Sequence, residues 1–199
     1  MQYADKLYAQ AVTRFQALYA EAQKLDLREP SAMSLATVDD QGRPSVRTVL
    51  LKSFDARGFV FYTNKLSRKG RQLASNPNAA LCFLWQPLMQ QVLVEGEVEN
   101  VTVDDADAYW ATRARVSQIG AWASQQSSQM RDRAELEARF AEYEKKFAAK
   151  PVPRPPYWSG YRLRPRAIEF WASRPGRLHE RESYRQDDAG AWAHHWLYP

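Results

Sequence analysis

One cysteine and three histidines in 199 residues leave little material for disulfide, thiol or metal chemistry. Cys82 has no second cysteine to pair with and sits in the apolar run ALCFLW, so it reads as a buried, inert thiol suited to a reducing cytoplasm. His179, His194 and His195 make a poor ligand set, because adjacent residues on a strand point to opposite faces. No apolar run is long enough to span a membrane, and the N-terminus MQYADKLYAQ alternates acids and bases, unlike a signal peptide. There is no G-x-G-x-x-G after a strand, no Walker loop, no H-E-x-x-H and no G-x-S-x-G, which sets aside the common nucleotide, metalloprotease and hydrolase chemistries. No Pro/Gly/Ser-rich linker divides the chain either, so it forms one domain, 1–199.

What the chain does carry is an ordinary globular composition, 45% hydrophobic and 26% charged, with a net charge of +5. The cations are scattered through strand patterns instead of gathered in one tail, so small anionic ligands account for the excess as well as nucleic acid does. Tyr3, Leu7, Ala11, Phe15, Leu18 and Ala22 recur at three- and four-residue spacing and predict an amphipathic helix over residues 3–25. SAMSLATVD, SVRTVLLK, NAALCFLW and QQVLVEGEVENV then read as strands joined by tight turns, the pattern of an antiparallel barrel or sandwich. Thr102, followed by acids at 104, 105 and 107, caps a helix running to about Thr112, with Tyr109 and Arg113 four apart on one face. SQIGAWASQQSS is polar and small around an Ile-Gly-Ala-Trp centre. Residues 131–148 predict a packing helix with Leu136, Phe140, Tyr143 and Phe147 on one side and Glu135–Arg139 and Glu142–Lys146 as ion pairs. After the extended connector PVPRPP come strands in YWSGYRLRPRAIEFWAS, RLHERESYRQ and WAHHWLY.

Two stretches concentrate cations. In RTVLLKSFDARGFVFYTNKLSRKG, two strands are expected to pair as a hairpin through SFDARG, with Arg47, Val49 and Leu51 on one face and Thr48, Leu50 and Lys52 on the other. Ser67 then caps a short helix whose first turn holds Arg68 and Lys69. Cations there oppose the helix dipole, so an anion between them, such as a phosphate, would relieve the arrangement; a solvated basic helix end is the plain alternative. In RLHER, strand alternation puts Arg177, His179 and Arg181 on one face, which suits a bound anion or electron-rich ring, or else an exposed basic edge strand.

RTVLLK, FYTN with SRKG, QQV, R-x-R-x-SQIGAW-x-S-x-QSS, IEFW and RLHER, in this order and spacing, resemble the pyridoxamine (pyridoxine) 5'-phosphate oxidase family from Glu29 to the C-terminus. The resemblance implies a mainly β, α+β fold with flanking helices, an antiparallel FMN-binding split barrel over 29–199 preceded by a helical segment, 1–28, with room to move. It implies FMN held by Arg47, Thr48, Val49, Leu50, Leu51 and Lys52, by Tyr62 and Thr63, by Arg68 and Lys69 on the flavin phosphate, and by Gln91, Gln126, Ser127, Trp171 and Arg181. Lys52, Tyr109, Arg113 and Ser117 would grip the substrate phosphate, and Arg177 and His179 the pyridine ring, with His179 the better candidate base. The implied reaction converts pyridoxine or pyridoxamine 5'-phosphate to pyridoxal 5'-phosphate by hydride transfer to the flavin. Dioxygen is the final acceptor, and the products are hydrogen peroxide and, from the amine, ammonia. The family is a cytoplasmic homodimer with flavins at the interface. Departures are Glu29, where some relatives have Asp, and His195 and Trp196, where many have a basic residue before the closing Leu-x-Pro. Against this stand a split-barrel oxidase for a non-phosphorylated aromatic such as a phenazine precursor, a non-catalytic flavin or pyridoxal phosphate binder, and a weak nucleic-acid binder.

Overall fold

A computed structural model describes residues 3–199, with side chains from residue 6 onward. Its elements are α1 (Tyr3–Lys24), β1 (Ala32–Val38), β2 (Pro44–Leu50), β3 (Ser53–Asp55), β4 (Gly58–Asn64), α2 (Arg68–Ser75), β5 (Asn78–Trp85) and β6 (Gln90–Asn100). Three helices follow, α3 (Val103–Thr112), α4 (Arg115–Ala123) and α5 (Arg133–Lys146), and then β7 (Trp158–Ala172), β8 (Glu180–Gln186) and β9 (Trp192–Leu197). The antiparallel sheet runs β2-β1-β5-β6-β7-β4-β3, with β8 also on β7 and β9 on β8. Its far ends come together where the Lys52 N–H donates to the Val60 carbonyl at 2.9 Å, so the sheet curls into a split barrel with flanking helices.

The barrel interior is aromatic, and α1 plugs it. Phe15 has no exposed surface and meets Phe54, Phe59 and Phe83 edge-on at ring separations of 4.9, 4.8 and 5.0 Å. Leu7, Ala11 and Ala22 share that core, which is why the helix keeps its three-and-four periodicity. Truncating a side chain such as Phe15 to Ala would cost about 3–5 kcal/mol through lost transfer energy and the cavity left behind. A second apolar cluster, Trp110, Ile119, Phe147, Val152 and Trp158, joins α3, α4 and α5 to the first residue of β7.

Several expectations are corrected. β2 does not form a hairpin with β4. It pairs with β1, Arg47 opposite Leu35, and the reversal at Ala56 and Arg57 instead closes the short β3–β4 hairpin. The Asp-Ala-Arg-Gly reversal is present as expected, but Leu51 and Lys52 break the strand before it. β5 is buried on one face only, with Leu84 57% exposed and Cys82 half-buried. The SQIGAW segment is helix α4, unannounced because Ala114 offers no capping side chain and Gly120 lowers helix propensity. On α5 the ion pair is Arg133–Glu137, while Arg139 donates to the Ala123 carbonyl and Lys146 lies over the rings of Tyr143 and Trp122. RLHER is not a continuous strand. Arg177 ends a tight turn with φ +62° after Gly176 at +65°, and β8 begins only at Glu180, so alternation does not align Arg177 with His179 and Arg181.

Candidate active site

A cavity of about 690 Å³ opens between the barrel and the helical cluster, a volume within the range of small-molecule sites. Its barrel wall holds Thr48, Val49, Leu50, Lys52, Tyr62, Thr63, Asn64 and Lys69; its helical wall includes Tyr109, Arg113, Ser117, Gly120, Ser124 and Gln126. Alternation along β2 turns Ser45, Arg47 and Val49 inward while Thr48 stays exposed, and Lys52 emerges just past the strand's end.

One end of the cavity is built from α2. The Ser67 hydroxyl accepts the Gly70 N–H at 3.3 Å, capping a helix with no acid in its first turn. Gly70 is required there: a Cβ would lie 2.2 Å from the Lys65 carbonyl oxygen. Lys69 is buried, and its Nζ donates to Thr63 Oγ1 at 3.2 Å, while the Thr63 hydroxyl donates to Gln126 Oε1 at 3.3 Å. Burial first, and Arg47 second, pull the Lys69 ammonium below the usual lysine range; burial and the nearby Arg68 do the same to Arg47. Three cations therefore crowd together around a helix start, mutually repelling.

The other end is built where α3 meets α4. Arg113 is not on the helix face with Tyr109 but at the cap of α3, in extended conformation at φ −73° and ψ 140°, two residues before α4 begins. That corner carries its guanidinium back over the ring of Trp158, 4.8 Å from the centroid, with Nη2 donating to the Ser117 carbonyl at 3.1 Å. Its Nε is buried without an acceptor, and burial lowers the affinity of the group for its proton. Tyr62, Tyr109 and Trp158 stand parallel beside it, with Tyr62 centred 4.1 Å from Tyr109 and 5.3 Å from Trp158.

Arginines elsewhere are commonly matched to acids, as in Arg57–Asp55, Arg154–Asp107, Arg162–Asp55, Arg174–Glu180 and Arg185–Glu95. Among the described residues none of Arg47, Lys52, Arg68, Lys69 and Arg113 has such a partner. This donor set fits phosphate: a hydroxyl, helix amides, a lysine and arginines, all lacking counter-anions.

The remaining candidates lie outside this cavity within one chain. Leu51 is in the core, Arg47 is part-buried and off the cavity lining, Arg68 is exposed, and Ser127, at φ +73°, is on a smaller neighbouring hollow. Gln91, Trp171 and Arg181 form one row across β6, β7 and β8 through the pairs Gln91–Trp171 and Trp171–Arg181. Arg181 forks onto Glu169 at 2.8 and 3.1 Å. His179 lies over Trp171 with ring centroids 4.6 Å apart, and its Nδ1 accepts the Arg174 N–H at 3.2 Å. Exposed Leu84 and Leu197 extend this row, standing opposite Gln91 and Arg181, and exposed Leu178 lies in the turn just before β8. Sequence reading did not single out Asn64, Thr112, Ser124 or Trp158. Asn64 and Ser124 stand inside the FYTN and SQIGAW-x-S motifs without a role assigned there, and Trp158 follows Tyr157 just after the proline-rich connector.

Comparison with known proteins places these features in a family. Residues 19–147 match the family described as pyridoxamine 5'-phosphate oxidase, and residues 158–199 match the pyridoxine 5'-phosphate oxidase C-terminal dimerisation region. A pyridoxine/pyridoxamine 5'-phosphate oxidase of Myxococcus xanthus is 57% identical over 188 residues, covering 94% of this chain and 91% of that protein. One from Alkalilimnicola ehrlichii is 54% identical over 196 residues, covering 98% and 100%. Among solved structures, PhzG from Burkholderia lata, in complex with tetrahydrophenazine-1-carboxylic acid, superposes with a TM-score of 0.89 at 35% identity, covering 94% of this chain and 92% of that one. The chain belongs to the pyridoxamine 5'-phosphate oxidase family.

Proposed function

We propose that this protein is an FMN-dependent oxidase that converts pyridoxine 5'-phosphate or pyridoxamine 5'-phosphate to pyridoxal 5'-phosphate. Dioxygen is the electron acceptor, and hydrogen peroxide and, from the amine, ammonia are released. The observation that carries the reading is one cavity with acid-free cations at two ends, which two phosphate-bearing aromatic molecules lying together would satisfy. Bound FMN supplies the hydride acceptor. Arg47, Arg68 and Lys69, with Thr63 and Gln126, hold its phosphate; Lys52, Tyr109, Arg113 and Ser117 hold the substrate's. Anchoring both partners leaves the reacting carbon little freedom, and such positioning is worth roughly 7–11 kcal/mol of barrier in favourable cases.

The protein acts as a homodimer, and the partner copy brings Gln91, Trp171, Arg177, His179 and Arg181 to the cavity. The match of 158–199 to a dimerisation region and the exposed apolar side chains beside that row support this reading. The hydrogen bond at His179 revises its role. With Nδ1 accepting the Arg174 N–H, the neutral ring keeps its proton on Nε2 and presents a donor, so His179 orients the substrate instead of taking its proton. Arg177, in the left-handed region at φ +62°, ends the tight turn that precedes β8.

The likeness to PhzG favours a second reading, oxidation of a non-phosphorylated aromatic acid. Tyr109, Arg113 and Ser117 around an unpartnered Nε argue for the phosphorylated substrate. The test is oxygen uptake and peroxide release by the purified yellow protein with pyridoxine 5'-phosphate, pyridoxamine 5'-phosphate and tetrahydrophenazine-1-carboxylic acid. Turnover of the first two supports the proposal. Turnover of the third alone, or flavin colour without uptake, overturns it.

A further inference from the structure

We propose that Thr37 and Gln72 are positioning residues that present the Arg47 guanidinium as a preformed fork to the phosphate monoester of the flavin, an inference that rests on the cavity binding FMN. Thr37 has no exposed surface and Gln72 is 5% exposed, and neither lines the cavity. Arg47 sits opposite Leu35 in the β1–β2 ladder, so its side chain crosses diagonally to Thr37 and reaches α2 beneath the sheet. Its Nη1 donates to Thr37 Oγ1 at 2.6 Å and to the Leu35 carbonyl at 3.2 Å, and its Nη2 donates to Gln72 Oε1 at 3.2 Å.

The two buried side chains also fix one another. The Thr37 hydroxyl donates to Gln72 Oε1 at 2.7 Å, and Gln72 Nε2 donates to Ser45 Oγ at 3.1 Å, which leaves the amide one orientation, oxygen toward the arginine. No buried side-chain nitrogen or oxygen of Thr37 or Gln72 is left without a partner, the condition for buried polar groups to persist.

A guanidinium has five N–H donors, and three are spent on this cluster. The two that remain, Nε–H and the second Nη2–H, lie parallel on the same edge, the arrangement that meets two oxygens of a phosphate. The acceptors that hold Arg47 are all neutral. A carboxylate would orient the side chain equally well but would cancel the charge the ligand needs, whereas a hydroxyl, an amide and a carbonyl fix the geometry and leave the charge intact.

The test is titration of the full-length, flavin-stripped protein with FMN and with riboflavin, which lacks the phosphate, followed by quenching of flavin fluorescence. Thr37→Val and Gln72→Met should each weaken FMN by about tenfold, roughly 1.4 kcal/mol, and leave riboflavin within twofold of the parent protein. Thr37→Ser should restore FMN affinity. Gln72→Glu, which keeps the size of the side chain but pairs Arg47 with an acid, should weaken FMN at least as much as Gln72→Met does. Unchanged FMN affinity in these variants, or equal loss for both flavins, would overturn the positioning role while leaving the cofactor reading intact. Failure of the parent protein to bind FMN would overturn both.

Discussion

Replacing Arg113 with methionine should leave the fold standing and remove recognition of the substrate phosphate. The folded protein loses a cation–π contact over Trp158, about 0.5–2 kcal/mol, and a charged hydrogen bond to the Ser117 carbonyl, about 1.5–3 kcal/mol. It gains relief from a buried Nε without an acceptor, about 1–3 kcal/mol, and from holding a half-buried charge with no acid. These oppose one another and at mid-range values leave a net loss of about 1.5 kcal/mol, so the melting temperature should fall by about 3–6 °C, taking roughly 2–4 °C per kcal/mol for a chain of this size. The bound state has no such compensation. Two charge-assisted hydrogen bonds to phosphate are worth about 3–6 kcal/mol, a factor of roughly 10² to 10⁴ in affinity. Steady-state oxygen uptake should show that loss in kcat/KM for pyridoxine 5'-phosphate, carried mainly by KM, while kcat/KM for unphosphorylated pyridoxine, supplied at high concentration, should change by less than about threefold. Equal losses for both substrates would refute the assignment of Arg113 to the phosphate, and a melting temperature lowered by much more than the stated range would show a structural role instead.

Lys69→Met should lower FMN affinity yet raise the stability of the flavin-free protein at pH values below the range in which the buried Lys69 titrates, because a cation that burial disfavours is removed. With its folded pKa below the unfolded value of 10.5, Lys69 makes the unfolded chain bind more protons between the two values. Stability of the parent should therefore rise with pH across that window, and the variant's curve, from denaturant titrations, should be flatter there. FMN binding favours the charged lysine, so affinity in the parent should fall as pH climbs through the same window; a pH-independent affinity would count against Lys69 as a phosphate ligand. Gly70→Ala forces a Cβ to 2.2 Å from the Lys65 carbonyl and should cost about 1–3 kcal/mol, seen as a lower denaturation midpoint together with weaker FMN binding. His179→Gln retains an N–H near the position of Nε2 and should keep both limbs of the pH profile of kcat/KM, with turnover reduced by less than about tenfold. Loss of one limb would restore His179 as the base.

Local chemistry was legible without coordinates. The α1 stripe, the Thr102 and Ser67 caps, the Asp-Ala-Arg-Gly reversal and the short strands each follow from side-chain periodicity or from a hydroxyl next to free amides, interactions spanning a few residues. Motif order, a property of the sequence itself, was enough to point to the family. Tertiary structure decided the pairings of strands distant in sequence, β1 with β5 and β7 with both β4 and β6, since many strands of similar hydrophobicity compete as partners and only closure of the whole sheet selects among them. It also decided where Arg113 points, because the corner between α3 and α4 is held by packing on Trp158, a residue 45 positions away along the chain. The same holds for Thr37 and Gln72. Nothing in their local surroundings marks them, and their meaning arises only when β1, β2 and α2 fold together around one arginine.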